Sequence, residues 1–350
     1  MKRGVTSVAA GRLSSLAIKD GKLFSWGSQA DPARITRFEE VANMASRTPT
    51  QVGSESDWSQ VSTAEATMAA IRSGMLFTWG VNSSGCLGLG DEIARAVPCR
   101  VGTRSDWTSI SVGHNYMLGI AGGKLFSWGM NTRMQLGTKR PLKACFPIQI
   151  GEDEDWTLVS AGRDHSLAIR DGKLFSWGWN GEGNLGTGDR YGKSKPAQVG
   201  RKTGWTYVSA GWGVSLGIKN GELFAWGLNL SGQAGFEVTT SVSTPRRVDS
   251  RADWEKVSTR GTSSFGIANG SGFLWGRGMP CNFGRGTPLT PGEMMRTDDS
   301  FDWEDISMGD IHALAVKGGE LFSWGSNACG QLGIGEPDRR DFPSRVTFAQ

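Results

Sequence analysis

The sequence has little of the chemistry from which enzymes and metal sites are built. Only 3 His and 3 Tyr occur among its 350 residues, and its 5 Cys form no CxxC pair. An odd number of scattered cysteines favours free thiols over a zinc site or a disulfide framework. The sequence therefore predicts no metal site and no bound cofactor.

The chain also lacks a strong net charge and a long apolar run. Its formal charge of +4 is too small to indicate specific binding of nucleic acid or attraction to a membrane surface. No apolar stretch approaches membrane-spanning length, and the N-terminal segment MKRGVTSVAAGRLSSLAIKDGK lacks the apolar core of a secretion signal. We expect a protein that is neither secreted nor inserted in a membrane.

Tryptophan and glycine are in excess, with 15 and 51 copies, and both recur at fixed spacing. Seven Trp-Gly pairs form one series, and the last five intervals between them are each 49 residues; their tryptophans are Trp26, Trp79, Trp128, Trp177, Trp226, Trp275 and Trp324. A second tryptophan series keeps the same step, at Trp58, Trp107, Trp156, Trp205, Trp254 and Trp303. Such spacing is typical of repeat architectures. We predict one domain, residues 1–350, made of seven repeats of about 49 residues.

Each repeat is predicted to contain four short strands and no helix. In the fourth copy, Trp156–Ala161 and residues 165–169 are apolar or alternate, Asp171-Gly172 suits a tight hairpin turn, and KLFSWG follows as a third strand. A glycine-rich loop then leads to a fourth strand, whose Pro196 suits an outer edge where no ladder hydrogen bond is lost.

Four-stranded units bury their faces only by stacking, and seven of them close into a ring. The predicted fold is all-β: a closed seven-bladed β-propeller with four antiparallel strands per blade. The thirteen repeated tryptophans are assigned to packing between blades. The N-terminal segment Val5–Ala10 and the C-terminal residues 343–348 are expected to meet at the seam and to fasten the ring with non-contiguous strands.

Two motifs carry a family resemblance. The string G-K-L-F-S-W-G-x-N-x-x-G-x-L-G-x-G spans residues 172–188 and recurs with changes at 319–335, while S-A-G-x-x-H-S-L-A-I spans 160–169. They resemble the regulator of chromosome condensation repeat family over essentially the whole chain, and the resemblance implies a seven-bladed propeller. That family includes an exchange factor for a nuclear small GTPase, a plant ultraviolet-B photoreceptor, bacterial enzyme inhibitors and short bacterial and phage proteins. Function therefore has to be argued from residues.

The sequence lacks the features that nucleotide exchange and ultraviolet-B perception require in this family. The exchange factor's protruding wedge and basic N-terminal tail are not recognisable in the sequence. The photoreceptor would need tryptophan at one loop position in several copies, and only Trp212 occupies that position. The histidine position of the fourth copy, His165, holds other residue types in most copies, which indicates a structural role. We predict a protein that is not an enzyme.

Departures from the repeat are the candidate partner contacts. Trp179 and Trp212 are the two tryptophans outside both series, and Tyr191 lies in the loop of the same copy as Trp179. Tryptophan and tyrosine are enriched at interface hot spots. We also note the basic residues of copies three and four, whose alternative interpretation is a solvated loop surface: Lys139, Arg140, Lys143, Lys193, Lys195, Arg201 and Lys202.

Two irregular segments add further candidates. Four extra residues lie between Trp26 and Pro49. Two interpretations remain open: simple sequence drift in a surface loop, or a lateral element that contacts a partner. Such an element would present Arg34, Arg37, Phe38 and Glu39. In copy six an irregular loop could form an adaptable apolar patch from Met279, Phe283, Met294 and Met295.

The sequence thus favours a non-enzymatic protein–protein interaction scaffold, a structural or docking component of a larger assembly such as an accessory protein of a phage tail or capsid. Its partner is expected to be another protein, an assembly or receptor component, met in the cytoplasm or on a virion. Two alternatives remain open: a guanine-nucleotide exchange factor or other regulator of a small GTPase, and a proteinaceous enzyme inhibitor.

Overall fold

The repeat folds as a ring of seven four-stranded antiparallel sheets. The computed structural model describes residues 4–28, 46–237, 240–277, 289–297 and 302–348. Every sheet consists of four strands that follow one another in sequence and in space. The predicted seven-bladed β-propeller is confirmed.

The strands are named β1 to β28 in chain order, four to a blade. Blades 1 to 3 contain β1 Val5–Ala10, β2 Ser14–Lys19, β3 Lys22–Gly27, β4 Ser46–Gln51; β5 Trp58–Ala64, β6 Thr67–Arg72, β7 Met75–Gly80, β8 Arg95–Arg100; β9 Trp107–Val112, β10 Tyr116–Ala121, β11 Lys124–Met130, β12 Lys143–Gln149. Blades 4 and 5 contain β13 Trp156–Ala161, β14 His165–Arg170, β15 Lys173–Gly178, β16 Lys193–Gln198; β17 Trp205–Ala210, β18 Val214–Lys219, β19 Glu222–Gly227, β20 Val242–Arg247. Blades 6 and 7 contain β21 Trp254–Arg260, β22 Ser263–Ala268, β23 Ser271–Gly276, β24 Met294–Arg296; β25 Trp303–Met308, β26 His312–Lys317, β27 Glu320–Ser326, β28 Arg339–Arg345.

The second and third strands of a blade are joined by the tight turn that the sequence predicts. In blade 4, Arg170 pairs with Lys173 across Asp171 and Gly172, whose φ angles are 49° and 64°. Two successive residues in the left-handed region define the type I′ turn that matches strand twist, and Asp-Gly is well suited to it.

The fourth strand of each blade is its outer edge. Pro196 lies in β16, which pairs only with β15, so its missing N–H costs no ladder bond. Prolines occupy the corresponding place in five other edge strands, at Pro49, Pro98, Pro147, Pro245 and Pro343. These fourth strands form the outer surface of the ring, here called the rim.

The repeated tryptophans join the blades. All thirteen are buried, and Trp177 donates its indole N–H to the carbonyl of Gln135 at 2.9 Å, in the loop of the preceding blade. The ring of Trp156 packs edge-on against Phe175, with 5.2 Å between centroids. The assignment of these residues to packing between blades is confirmed.

The glycine-rich loop between the third and fourth strands is built around a buried asparagine. In blade 4, Asn180 accepts the N–H of Leu185 at 2.8 Å and donates its side-chain amide to the carbonyls of Asp189 and Tyr191. The same arrangement holds Asn82 in blade 2. The asparagine of the N-x-x-G-x-L-G motif therefore fixes the loop backbone.

The first strands line a central channel, and a serine hydroxyl connects each blade to the next. In blade 3, Ser111 accepts the N–H of Ala161 in blade 4 at 2.9 Å. Within the described residues, all seven junctions carry such a bond, and its serines are Ser7, Ser62, Ser111, Ser160, Ser209, Ser258 and Ser307.

The two ends of the chain meet at the seam, as predicted, but not by sharing a sheet. Phe348 packs edge-on against Phe24 of blade 1, with 4.8 Å between ring centroids, and Val5 donates its N–H to the carbonyl of Gly319. Blades 1 and 7 are each completed by their own contiguous strands. The expectation that non-contiguous strands fasten the ring is therefore replaced by packing between two complete blades.

The connections sort onto two faces. Loops from first to second and from third to fourth strands lie on one side, here called the loop face; the tight turns and the connections between blades lie on the other. No helix among the described residues has the length and apolarity needed to cross a bilayer.

Candidate functional site

The loop face carries a depression between blades 4 and 5 into which both unrepeated tryptophans project. Its volume is about 510 Å³, and its wall includes Trp179, from the β15–β16 loop, and Trp212, from the β17–β18 loop. The ring places these loops side by side because each blade's outer loop packs on the following blade, as the bond from Trp226 to the carbonyl of Asn184 shows. The depression is also lined by Arg133, Arg163, Glu182 and Leu230.

Trp212 stands in contact with a cation. The Arg163 guanidinium lies 5.2 Å from the centroid of the indole ring, within the range of a cation–π interaction. The backbone N–H of Arg163 reaches the carbonyl of Gly211 in the next blade, which brings the two side chains together. About half of the Arg163 side chain remains exposed, so it stays available to a partner.

Trp179 is fixed by its backbone and by an adjacent glycine. Its N–H donates to the carbonyl of Asp164, and its own carbonyl accepts the side-chain amide of Asn184 at 2.6 Å. The indole lies over Gly181, where a Cβ would stand only 2.2 Å from the ring. The half-buried ring is therefore held before any partner arrives, which lowers the entropy cost of binding.

The remaining wall of the depression is apolar and charged. Leu230 is 62% exposed, and Glu182 accepts a hydrogen bond from Ser241 at 2.7 Å. Tryptophan and arginine are among the residue types that dominate the energetics of protein interfaces, and the exposed Leu230 adds apolar surface beside them.

The histidine that lines this depression is not available for proton transfer. Ser215 donates its single hydroxyl proton to the carbonyl of Asn184, so Nε2 of His165 must donate to that hydroxyl, at 2.8 Å. Burial lowers the pKa of His165 to about 3, because a charged imidazole would lose its hydration there. His312 is arranged in the same way toward Ser15, whose proton goes to Gln331.

The central channel is not an open ligand site. Its cavity near the loop face measures about 130 Å³ and is lined mainly by small residues of the first strands. Arg260 of blade 6 reaches 3.6 Å from Glu65 of blade 2 and also pairs with Asp310 of blade 7. Because blades 2 and 6 are not neighbours, this ion pair crosses the channel mouth.

Metal ligands and reactive thiols are not gathered at the depression within the part of the chain that the structure describes. Across residues 4–28, 46–237, 240–277, 289–297 and 302–348, no group of three or more His, Cys, Asp or Glu is placed to hold a metal ion. The four described cysteines are free, and burial raises the pKa of the Cys86 thiol. None of these four cysteines is among the residues that line the depression.

The other predicted contact residues are dispersed. Tyr191 lies on the rim with 78% of its surface exposed. Met294 and Met295 are half-buried in β24, where they pack against the cores on either side of blade 6, so much of each side chain serves packing between blades and its partner role stays a prediction. Outside the described residues lie Arg34, Arg37, Phe38, Glu39, Met279 and Phe283.

Sequence reasoning missed several exposed apolar residues. Leu230 was overlooked because its repeat copy is otherwise regular. Ile93 and Leu142 are exposed and occupy the same repeat position as Tyr191. Comparing that one position across copies would have revealed them, since a solvent-facing slot that holds Ile, Leu and Tyr in succession is unusual.

Comparison with known proteins agrees with this architecture. The family model described as RCC1-like domain matches residues 1–298, and that of the regulator of chromosome condensation (RCC1) repeat matches residues 318–350. No curated protein sequence matches the chain significantly.

Several solved structures share the fold. Human WBSCR16 is 22% identical with a TM-score of 0.79, over 93% of this chain and 94% of that chain. Prp20p from Saccharomyces cerevisiae, described with its binding to Gsp1p and histones, is 18% identical with a TM-score of 0.78, over 95% and 87% of the chains. Yeast RCC1 (Prp20) bound to Kap60 is 17% identical with a TM-score of 0.75, over 88% and 80%.

Proposed function

Since the chain belongs to the family of RCC1-like domains, we propose that it is a non-enzymatic scaffold that binds another protein through its loop face. One observation carries the proposal: Trp179 and Trp212, the two tryptophans that the ring does not need for packing, line the same depression. Their blades would fold without them, because the repeated tryptophans already fill the junctions.

The depression suits a protein surface better than a small molecule. Its residues come from loops of several blades and include Leu230, most of which faces solvent. Small-molecule sites instead bury most of their ligand in a concave pocket with convergent polar groups. A side chain of the partner would insert between the two indoles, with Arg133 and Arg163 facing its carboxylates or carbonyls.

We extend the proposal to a structural or docking role in a larger assembly, such as an accessory protein of a phage tail or capsid, in the cytoplasm or on the virion. A ring closed at all seven junctions is rigid, and its apolar side chains are exposed on the face at Leu230 and on the rim at Tyr191. Several neighbours can then be contacted at once. Binding by its relative Prp20p, described with Gsp1p and histones, supports a protein partner in general terms.

Site-specific photocrosslinking in the native host tests the proposal. The photoreactive residue p-benzoylphenylalanine would replace Ser231, which lines the depression, and in a matched control Lys22, which is exposed on the opposite face. We expect adducts from position 231 and not from position 22. Mass spectrometry of the adducts should identify structural proteins of one assembly in near-stoichiometric amount.

Substitutions then connect the adduct to the two tryptophans. Trp179→Ala or Trp212→Ala should each reduce adduct yield at least tenfold, whereas Phe342→Ala, an exposed aromatic on the rim of blade 7, should not. If the main adduct is a small GTPase, and if adding the chain speeds release of its bound nucleotide, the scaffold proposal is wrong and the chain is a nucleotide-exchange factor. If the main adduct is a single enzyme whose activity falls when the chain binds, the scaffold proposal is likewise wrong and the chain is an enzyme inhibitor.

A further inference from the structure

Three consecutive blades expose apolar side chains at equivalent positions of the rim. Ile93, Leu142 and Tyr191 each precede the fourth strand of blades 2, 3 and 4, while Val97 and Phe146 lie on the fourth strands β8 and β12. We call these five residues the rim arc. They are 59% to 78% exposed. Of the seven large apolar side chains that are exposed among the described residues, only Leu230 and Phe342 lie elsewhere.

The rim arc is held rigidly at both ends. Ile93 donates its N–H to Asp91 at 2.9 Å and its carbonyl accepts the amide of Asn82 at 3.1 Å. Tyr191 repeats this arrangement with Asp189 and Asn180. Because the backbone is fixed on both sides of Ile93 and Tyr191, little loop entropy is lost when their exposed side chains bind a partner.

Neighbouring blades join the rim arc into one surface. The Phe146 ring of blade 3 lies against Gly90 of blade 2, where a Cβ would stand 2.3 Å from the ring. Gly90 also donates its N–H to the carbonyl of Cys145 at 2.9 Å. Lys143 of blade 3 forms an ion pair with Glu92 of blade 2, so the apolar side chains of the two blades flank a common seam.

The surface around the rim arc has unpaired positive charge. Lys139, Arg140 and Lys195 are exposed and form no ion pair within the part of the chain that the structure describes. Lys195 and Thr138, the neighbour of Lys139, line the same groove between blades 3 and 4. The nearby carboxylates are already matched, since Asp91, Glu92 and Asp189 pair with Arg95, Lys143 and Lys193.

The edge strands of the rim arc do not favour an added strand. Pro98, Pro147 and Pro196 occupy equivalent positions in β8, β12 and β16. Each removes an N–H from the edge, which is a common way in which proteins block strand addition. A partner at this surface is therefore bound through side chains.

We propose that the rim arc docks an acidic segment of a partner protein, whose spaced apolar side chains contact Ile93, Phe146 and Tyr191 while its carboxylates face Lys139, Arg140 and Lys195. Charge complementarity argues for this occupant, because an acidic segment pairs three free cations without disturbing the existing ion pairs. The surface is separate from the depression between blades 4 and 5, and the proposal stands independently of it.

A protein segment is favoured over an anionic membrane by the carboxylates of the same loops. Asp91, Glu92 and Asp189 are interspersed with the cations at the rim, and a uniformly anionic lipid surface would repel all three at once. A peptide can place its charges selectively. Membrane binding and nucleic-acid binding are accordingly outcomes that the test distinguishes.

Selection from a displayed library of random 16-residue peptides against the full chain tests the proposal. The selected peptides should be rich in Asp and Glu, with Leu, Phe or Trp between them, and should bind at least tenfold more weakly at high salt. Fluorescence anisotropy should give at least a tenfold loss of affinity for Phe146→Ser and for the double variant Lys139→Glu/Lys195→Glu. Phe342→Ser should change affinity less than twofold, since Phe342 holds the repeat position of Phe146 on the distant blade 7.

Several results would overturn the proposal. These are failure to enrich any peptide, enriched peptides without an acidic excess, or an equal loss of affinity for Phe342→Ser. Binding of phosphatidylserine vesicles or of a 20-nucleotide single-stranded DNA that is lost in Lys139→Glu/Lys195→Glu, with no such loss for peptides, would assign the surface to another class of ligand. Circular dichroism of each variant checks that the ring is intact.

Discussion

The backbone N–H of Ala10, at the end of the first strand, donates a 2.9 Å hydrogen bond to the hydroxyl of Ser307 in the last blade. The same bond occurs inside the chain, where the backbone N–H of Ala210 donates to the hydroxyl of Ser160. The seam is therefore built by the rule that joins covalently consecutive blades, although its two residues lie at opposite ends of the sequence.

Removing this bond should weaken ring closure. Ser307→Ala leaves the Ala10 N–H without its partner, and we expect the free energy of unfolding to fall by about 1 to 2 kcal/mol. Urea denaturation measures the loss. Ser54→Ala, at an exposed position in a connection between blades, is the control and should change stability by less than about 0.5 kcal/mol. Equal values for the two variants would contradict a stabilising role for the seam bond.

The two tryptophans of one blade should differ in their tolerance of phenylalanine. Trp177 donates its indole N–H to Gln135 at 2.9 Å, whereas the buried indole N–H of Trp156 meets no acceptor among the described residues. Both substitutions create a similar cavity, but only Trp177→Phe breaks a hydrogen bond. We expect Trp177→Phe to cost about 1 kcal/mol more than Trp156→Phe. Chemical denaturation of the two variants in parallel decides this, and a larger loss for Trp156→Phe would contradict it.

Acid should destabilise the ring through two buried histidines. Burial lowers the pKa of His165 and, together with the nearby charge of Arg260, that of His312 to about 3, from an ordinary value of 6.5. Between these values the unfolded chain binds protons that the folded chain does not, so stability is retained above about pH 6.5 and lost as the pH falls.

Each histidine contributes a limiting slope of about 1.4 kcal/mol per pH unit. His165→Val/His312→Val should therefore show a flatter dependence of unfolding free energy on pH between about 6 and 4. Valine is a suitable replacement because Val214 occupies this position in blade 5, where it is buried. Identical slopes for the variant and the unmodified chain would show that these imidazoles do not control acid stability.

The tryptophans of the loop-face depression should be dispensable for folding. Trp179 and Trp212 are only half-buried, so Trp179→Ala/Trp212→Ala should lower the unfolding free energy by about 1 to 2 kcal/mol. Trp226→Ala, which removes a fully buried side chain, should cost at least about 3 kcal/mol. Thermal unfolding compares the three proteins. Comparable losses would mean that the depression is part of the structural core.

The ion pair between Arg260 and Asp310, beside the channel mouth, should be intolerant of losing one partner. Only 15% and 10% of the Arg260 and Asp310 side chains are exposed, so Arg260→Met leaves Asp310 poorly solvated and should cost about 3 kcal/mol. Arg260→Met/Asp310→Leu should recover at least half of this loss, because no buried charge remains unpaired. Urea denaturation of the single and double variants tests both statements, and a double variant weaker than the single one would contradict them.

The sequence predicted the structure within each repeat, but not the contacts between side chains of distant repeats. The 49-residue register sufficed to assign the hairpin at Asp171-Gly172 and the edge position of Pro196, because both depend on residues close in the chain. The contact of Arg260 with Glu65 was not predictable, since it depends on the width of the channel and on side chains from blades on opposite sides of it.

The depression that Trp179 and Trp212 share could be predicted from the sequence only in part. Both residues were selected because they fall outside the repeated series, but their proximity follows from the way the loop of blade 4 packs on blade 5. The rim arc was missed for a different reason. Exposed apolar residues are ordinary when single; the shared repeat position of Ile93, Leu142 and Tyr191 can be read from the sequence, but their exposure on adjacent blades depends on the closed ring.

The buried amide of Asn180 holds the loop from Trp179 to Tyr191 through the backbone of Leu185, Asp189 and Tyr191, and it also donates to the Asp189 carboxylate. Outward-facing side chains of that loop that make none of these bonds can therefore be exchanged through mutation without changing the course of the chain. The fold and the binding specificity of such a molecule can therefore evolve separately. The asparagine and the glycines preserve the ring, while the residues between them can change as the surface of the partner changes.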